Sequence, residues 1–212
     1  VTTDPSEINL TNKRKKNIHF FITPVDQNIE CFNVFNLNPQ NDIFYAMSHG
    51  VNRAKLKSGK TDERVKFLEK LIDKINDIKY DFYGIGKQEP IWGNNFYMSL
   101  LNSKMALNLS RGKPTKYYSS NRIASLMGNG LLVFIDKKVK MDDIFNENEI
   151  ITYQSIDELS DKIRYYKNNE NQRIKIAKNG KQKYFKLFNE RVISKYIVDI
   201  STGKKSSFLI GY

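Results

Sequence analysis

Two strand-length apolar runs, separated by a basic loop and a short helical pattern, constrain the fold of this chain more than any other feature. Residues 105–109 have the sequence MALNL and residues 131–135 have the sequence LLVFI, and each run has the length of a buried strand. Residues 121–130 have a helical pattern, with Ser119 or Ser120 as the expected N-cap and Gly128–Gly130 as the expected end. This order predicts a βαβ unit.

The alternation of strand and helix patterns extends over most of the chain. Further strands are predicted near residues 42, 79 and 149, and residues 18–23 are another candidate. Helices are predicted over residues 62–77, 94–103, 170–188 and 189–200, the last with Asn189 as its cap, and from the capping box Ser155–Glu158 onward. Strands that alternate with helices indicate an α/β fold of Rossmann type, in which a parallel sheet is covered by helices on both faces.

Length and composition limit the class of protein. The chain has 212 residues, 40% of them hydrophobic, and is long enough for one full domain. No apolar run approaches the ~18 residues that span a bilayer, and the N-terminus lacks a secretory signal pattern. Cys31 is the single cysteine, which fits a reducing compartment. We therefore expect a cytoplasmic protein, with peripheral membrane association left open, and the absence of an initial Met leaves open that the chain is a fragment.

The net charge of +12 raises the question of nucleic-acid binding. Lys, Asn and Ile are abundant throughout, and basic residues alternate with Asp and Glu along most of the chain, which favours a compositional bias over a basic binding face. Basic clusters occur at residues 13–16, 53–60, 111–116, 137–140 and 204–205. Two of them follow predicted strands, and these two loops are the candidates for a site. We expect no specific nucleic-acid partner.

The sequence lacks the motifs of several common enzyme classes. It has no Gly-x-Ser-x-Gly nucleophile elbow and no P-loop, and Gly84-Ile-Gly86 lacks the third glycine of a dinucleotide fingerprint. The two histidines, His19 and His49, are far apart in sequence, and there is no cysteine pair. We therefore expect neither a metal site nor a bound cofactor.

The two basic, glycine-bearing loops, residues 48–57 and 110–122, are predicted to face one crevice and bind a diphosphate. Glycine lets the backbone approach the ligand, Arg and Lys neutralise its charge, and serines at a helix N-terminus donate hydrogen bonds. Such a site at the carboxyl end of a parallel sheet suits an anion. The predicted contacts are Ser48, His49, Gly50, Arg53, Lys55, Arg111, Gly112, Lys113, Tyr117, Ser119, Ser120 and Arg122.

Several of these residues have a purely structural alternative. Any single lysine of the loops can be a solvated surface charge in a lysine-rich protein. Tyr117 and Tyr118 either pack beneath the helix or line the pocket. Trp92, which lies outside the two loops, either packs in the core or stacks on a base or a sugar. The sequence leaves these alternatives open.

Three stretches follow one another in the region from about Asp42 to Ile200: SKMALNLSRGKP, then YYSSNRIASLMGNGLLVFID, then EIITYQSIDELSDKIRYYKNNENQRIKIAKNG. With these stretches the region resembles the C-terminal, donor-binding half of a GT-B-fold glycosyltransferase. It is most similar to the branch called glycosyl transferases group 1, or spore-maturation-protein-like. The resemblance covers about three quarters of the chain; each stretch alone is weak, and the ordered set is more specific.

The resemblance implies a division of the chain and a reaction. Residues 1–41 would be the end of an N-terminal domain with the linker, residues 42–200 the nucleotide-sugar-binding domain, and residues 201–212 an irregular tail. The family binds a nucleotide-diphospho-sugar and transfers the sugar without an essential metal to a glycan or glycoconjugate acceptor, typically in polysaccharide biosynthesis. Arg122 matches the Arg that leads the family's helix, whereas Ser125 stands where the family usually has a Glu that contacts the donor's ribose.

Three hypotheses on function follow from the sequence. The first is a glycosyltransferase, for which we name no catalytic base because the family keeps it in the N-terminal half. The second is a non-catalytic module of the same fold that binds a nucleotide sugar or a polyanion, for which Ser125 is the hint. The third is a nucleic-acid-binding protein, indicated only by charge. Homo-oligomerisation is left open, because a missing half would expose a face of the domain.

Overall fold

Five strands form one parallel sheet at the centre of the protein, which a computed structural model describes over residues 1–5, 18–48 and 62–204. Their order across the sheet is β2-β1-β3-β4-β5, and every pairing is parallel. The predicted parallel sheet is therefore confirmed. The strands are β1 (Asn41–Ala46), β2 (Tyr80–Tyr83), β3 (Ser103–Asn108), β4 (Leu132–Asp136) and β5 (Ile151–Tyr153).

Helices follow the strands in the predicted order within the described residues. Short 3₁₀ turns at Val34–Asn36, Lys137–Val139 and Met141–Asp143 complete the connections. No helix in the described part of the chain combines the length and the apolar character needed to cross a bilayer. The helices are α1 (Glu63–Lys74), α2 (Gly93–Leu101), α3 (Asn121–Gly128), α4 (Ile156–Asn168), α5 (Glu170–Phe188) and α6 (Glu190–Ser201).

Two of the predicted helix caps are present, and one predicted strand is not. Ser155 Oγ accepts a hydrogen bond from the Glu158 N–H at 3.1 Å. Asn189 Oδ1 accepts hydrogen bonds from the N–H groups of Arg191 and Val192, both at 3.0 Å. Residues 18–23 were expected as a strand candidate, but Phe20 forms only an isolated bridge with Thr2. This segment packs by its side chains instead of joining the sheet.

Alternate residues of each strand supply two hydrophobic cores, one on each face of the sheet. Phe44, Ala106 and Val133 face the core that contains α2, α3 and the C-terminal part of α5. Their neighbours along the strands, such as Ile43 and Met105, face the core that contains α1 and α4. The near-continuous apolar sequence of these strands follows from this burial on both faces.

Residues 18–40 pack against the helices on the first of these faces. The Val25 N–H donates to Phe188 O at 2.9 Å, and Val25 O accepts from the Glu190 N–H at 2.9 Å, so the segment meets the junction of α5 and α6. The Val34 N–H donates to Asn129 O at 2.9 Å. These residues therefore share the core of the domain. Their predicted origin as the end of another domain stays a prediction.

Asp42, at the start of β1, makes the stability of the protein depend on pH. Its carboxylate is 3% exposed, accepts from the Lys79 N–H at 2.9 Å and lies 3.3 Å from Lys104 Nζ and 3.4 Å from Lys167 Nζ. Burial by itself raises the pKa of Asp42, but the Lys79 N–H and the charges of Lys167 and Lys104 outweigh it and hold the pKa below its ordinary value. The ionised carboxylate is thus stabilised by folding.

We expect Asp42→Asn to lower the free energy of unfolding at pH 7 by about 2 kcal/mol, because buried donors and charges lose their partner. A carboxyl group with a depressed pKa contributes stability above its unfolded pKa of about 3.9 and loses that contribution as pH falls through the folded pKa. The difference between the two proteins should therefore shrink below about pH 4 in urea unfolding curves. Asp157→Asn, which removes an exposed ion pair with Lys74, is the control. A difference that stays constant from pH 7 to pH 3 contradicts this prediction.

Candidate functional site

The carboxyl edge of the sheet has one point at which the connections diverge. β1 and β3 are neighbours, yet β1 leads to α1 on one face whereas β3 leads to α3 on the other. Open parallel sheets bind ligands in the crevice that such a divergence creates. The site therefore has to be sought above the ends of β1 and β3.

Arg122 occupies this crevice. It is the second residue of α3, and helical side chains point back toward the N-terminus of their helix, which here faces the edge of the sheet. Its Nε donates to Ala46 O at 3.1 Å, at the end of β1, and its Nη1 donates to Leu109 O at 2.9 Å, just beyond β3. The guanidinium carbon lies 5.0 Å from the centre of the Tyr45 ring. One guanidinium group thus bridges the two strand ends.

The charge of Arg122 has no carboxylate partner within the described residues. Its third nitrogen, Nη2, also has no hydrogen-bond partner among them. Burial lowers the pKa of the guanidinium, and so does the positive charge of Arg64, while Tyr45, Tyr118 and the Asp62 carboxylate act in the opposite direction. An arginine nevertheless stays protonated, and a half-buried cation that contacts no carboxylate directly is costly. An anion bound in the crevice would relieve that cost.

Arg64 supplies a second guanidinium close to the first. It lies in the first turn of α1, is 8% exposed, and donates from Nε and Nη2 to the Asp62 carboxylate at 3.0 and 2.8 Å. Burial alone lowers its pKa, but the hydrogen bonds to Asp62 outweigh that effect and raise it. Asp62 also caps α1 through the Arg64 N–H at 2.9 Å. Arg64 was not among the predicted residues, because the sequence Asp-Glu-Arg resembles an ordinary helix start.

An open cleft of about 190 Å³ adjoins Arg64 between α1 and the ends of β3, β4 and β5. The rings of Phe67 and Tyr153 stack in its wall, with centroids 6.1 Å apart and 29° between their planes. The cleft therefore combines a flat aromatic wall with a polar rim. Its lining residues are Glu63, Arg64, Phe67, Leu109, Ser110, Gly112, Pro114, Asp136 and Tyr153.

The predicted loop residues are distributed unevenly around this site. Arg111, Gly112 and Lys113 are exposed in the loop after β3, and Gly112, with φ of +69°, lines the cleft. Ser48 is exposed just after β1. The predicted contacts at the positions that follow it lie outside the described residues: His49, Gly50, Arg53 and Lys55.

Ser119 and Tyr117, two of the predicted ligand contacts, have hydrogen-bond partners within the protein. The fully buried Ser119 Oγ accepts from the Thr23 N–H at 2.8 Å, so it joins the N-terminal segment to α3. Tyr117 is 6% exposed and donates from its hydroxyl to Asp143 at 2.6 Å, and burial together with that carboxylate raises its pKa to about 12. Both side chains therefore have a structural role, and their predicted contact with a ligand stays a prediction. Ser120 is the N-cap of α3 by position, without a side-chain hydrogen bond.

Solved structures with this fold are GT-B glycosyltransferases. Sucrose-phosphate synthase from Thermosynechococcus elongatus superposes with a TM-score of 0.62 at 12% identity, covering 95% of this chain and 57% of that one. A mutant of S. aureus TarM in complex with fondaparinux, alpha-GlcNAc-glycerol and UDP gives a TM-score of 0.54 at 13% identity, covering 91% and 41%. HepE of Anabaena in complex with UDP gives 0.51 at 14% identity, covering 94% and 53%.

The sequence itself establishes the family. A family model described as glycosyl transferase-like matches residues 62–197, and the chain therefore belongs to the glycosyl transferase-like family. A search of the curated proteins gave no sequence match. The chain spans 57% of the length of sucrose-phosphate synthase and 53% of the length of HepE. The predicted resemblance to GT-B glycosyltransferases is thus confirmed at the level of fold and family.

Proposed function

We propose that this chain is the donor-binding part of a glycosyltransferase that transfers a sugar from a nucleotide-diphospho-sugar to a glycan or glycoconjugate. The observation that carries the proposal is the half-buried guanidinium of Arg122, held at the divergence of β1 and β3 without an ion pair among the described residues. Membership of the glycosyl transferase-like family supports it, as do related folds solved in complex with UDP.

The geometry suggests where each part of the donor binds. The cleft beside Phe67 and Tyr153 is smaller than the roughly 300 Å³ of the smallest typical ligand pockets, so it suits a base rather than a whole nucleotide sugar. Arg64 lines that cleft and lies near enough to Arg122 to lower its pKa. We therefore propose that the diphosphate binds between the two guanidinium groups, with the base toward α1.

This arrangement assists the transfer by stabilising the leaving group. The bond between the anomeric carbon and the diphosphate oxygen breaks, and the electron pair leaves with the diphosphate. The oxygen of the acceptor hydroxyl group bonds to the anomeric carbon, and its proton is released to water. Negative charge thus develops on the diphosphate, where fixed guanidinium charges are already in place. Arg122 is restrained by two backbone carbonyl groups, so it needs little reorganisation when that charge appears.

Nucleotide binding tests the proposal without requiring an acceptor or turnover. We expect one of UDP, GDP and ADP to raise the melting temperature of the protein selectively, because a ligand that binds only the folded state stabilises it. CMP, which lacks the second phosphate, should have a smaller effect, and a short duplex DNA should have none at moderate salt. A shift with DNA alone, lost at higher salt, would overturn the proposal in favour of a basic binding surface.

A further inference from the structure

Trp92 lies at the same edge of the sheet as Arg122. β2 ends at Tyr83, whose register partner in β1 is Ala46, and α2 begins at Gly93, so the segment between them lies at the carboxyl edge. Trp92 is the single tryptophan of the chain and is 63% exposed. The core-packing alternative for this residue is therefore excluded.

The packing of α2 places Trp92 beside the crevice rather than at a remote part of the edge. Phe96 packs against Phe44 of β1 in an edge-to-face arrangement, with ring centroids 5.4 Å apart. Trp92 precedes Phe96 by four residues, which is about one helical turn, or about 5.4 Å, further toward the carboxyl edge. Arg122 binds Ala46 O, two residues beyond Phe44. Trp92 thus lies on the face of the sheet that α2 covers, whereas the aromatic cleft lies beside α1 on the other face.

The residues that follow Trp92 are exposed and uncharged. Asn94 and Asn95, at the exposed start of α2, each offer an amide that donates and accepts hydrogen bonds. The indole has no ring or hydrogen-bond partner in the described part of the chain. A core tryptophan buries 150–250 Å², so a large flat apolar face has been left uncovered here. A flat apolar face beside neutral amides matches a sugar ring, which has apolar C–H faces and hydroxyl groups at its rim.

We propose that Trp92, Asn94 and Asn95 form a subsite for a neutral pyranose ring next to the diphosphate crevice. The indole stacks on the C–H face of the sugar, and the two amides bind its hydroxyl groups. This inference rests on the proposed function for its choice of ligand. The sugar comes either from the acceptor glycan or from the donor, and both present the same chemistry to the indole.

The single tryptophan gives a direct readout of this subsite. Tryptophan emission and its quenching by iodide are measured with UDP, with UDP-glucose and with neutral oligosaccharides such as maltopentaose and cellopentaose. A bound sugar should shift the emission to shorter wavelength and reduce the iodide quenching constant about twofold, because it covers the ring. An effect of oligosaccharides identifies the acceptor as the source, and an effect of UDP-glucose beyond that of UDP identifies the donor sugar.

A pair of variants tests whether the indole contributes to affinity. Trp92→Ala should weaken sugar binding about tenfold by calorimetry. Tyr165→Ala removes an aromatic side chain of α4 that is 48% exposed and should leave the affinity unchanged. Both side chains are exposed, so neither substitution threatens the fold.

The outcomes separate this inference from the proposed function. If UDP binds but neither UDP-glucose nor any oligosaccharide alters the tryptophan further, the sugar subsite is wrong and the proposed function stands. An effect of UDP alone as large as that of UDP-glucose would assign Trp92 to the nucleotide and also overturn the subsite. Sugar binding that depends on Trp92, without nucleotide binding, would keep the subsite and overturn the proposed function.

Discussion

Replacing Arg122 by Gln is expected to weaken the binding of a nucleoside diphosphate by about 1–3 kcal/mol, or roughly five- to 150-fold in the dissociation constant. The loss follows from the position of the guanidinium, which bridges Ala46 O and Leu109 O and faces no carboxylate among the described residues. Gln keeps a donor but removes the charge. Calorimetric titration with UDP, or with whichever diphosphate stabilises the protein, measures the effect.

Two further variants test whether the effect depends on the position and shape of the Arg122 guanidinium or only on the net charge of the protein. Arg191→Gln removes the same charge from the exposed start of α6, where the side chain is 83% exposed, and should leave the affinity unchanged. Arg122→Lys keeps a charge but cannot bridge two carbonyl groups with a planar fork, so an intermediate affinity is expected. The titrations are run well below each variant's melting temperature, because losing the bridge also destabilises the strand ends. If Arg122→Gln and Arg111→Ala both bind UDP like the parent protein, the crevice is not the diphosphate site.

Gly180→Ala is expected to lower the free energy of unfolding by about 3 kcal/mol, at the upper end of the cost of overpacking. Helix propensity alone predicts the opposite, a gain of about 1 kcal/mol for alanine over glycine. In α5, however, an added Cβ would lie 2.2 Å from Glu149 O and 3.2 Å from Met127 Cε. The nearest atom belongs to the backbone before β5, which cannot rotate away as a flexible side chain can. Urea unfolding curves measure the difference.

Lys178→Ala provides the matched comparison in the same helix. Lys178 is exposed, so the change should alter the free energy of unfolding by no more than about 0.5 kcal/mol. A stabilised Gly180→Ala variant would show that propensity outweighs the contact and that α5 does not approach Glu149 as closely as described.

The fold could be predicted from the sequence because the patterns that determine it are local. The apolar strands, the capping box at Ser155 and the cap at Asn189 depend on neighbouring residues, and the structure contains each of them. A prediction that depended on one local pattern alone, the strand at residues 18–23, was wrong. There the apolar residues are buried by helices, not by a neighbouring strand.

The candidate site could be predicted only in part, because the residues in contact there are distant from one another in sequence. Ser119 has the position of a ligand-binding serine, but its hydrogen-bond partner Thr23 lies 96 residues away in sequence. No local sequence pattern predicts that hydrogen bond. Arg64 was missed for the same reason, since its role depends on where α1 starts relative to Arg122. The exposure of Trp92 likewise depends on how α2 packs on β1. The sequence alone could therefore not decide between core packing and an exposed, ligand-stacking side chain.

The contacts of Val25 have a consequence for the order of events during synthesis. Its backbone pairs with Phe188 and Glu190, which follow it by more than 160 residues in the sequence. On the ribosome, the sheet and α1 to α4 can assemble before α5 and α6, which complete the docking surface of this segment, have emerged. A nascent protein would therefore leave Ile22 and Val25 partly exposed until α5 and α6 are synthesised, and a chaperone would bind the segment during this interval.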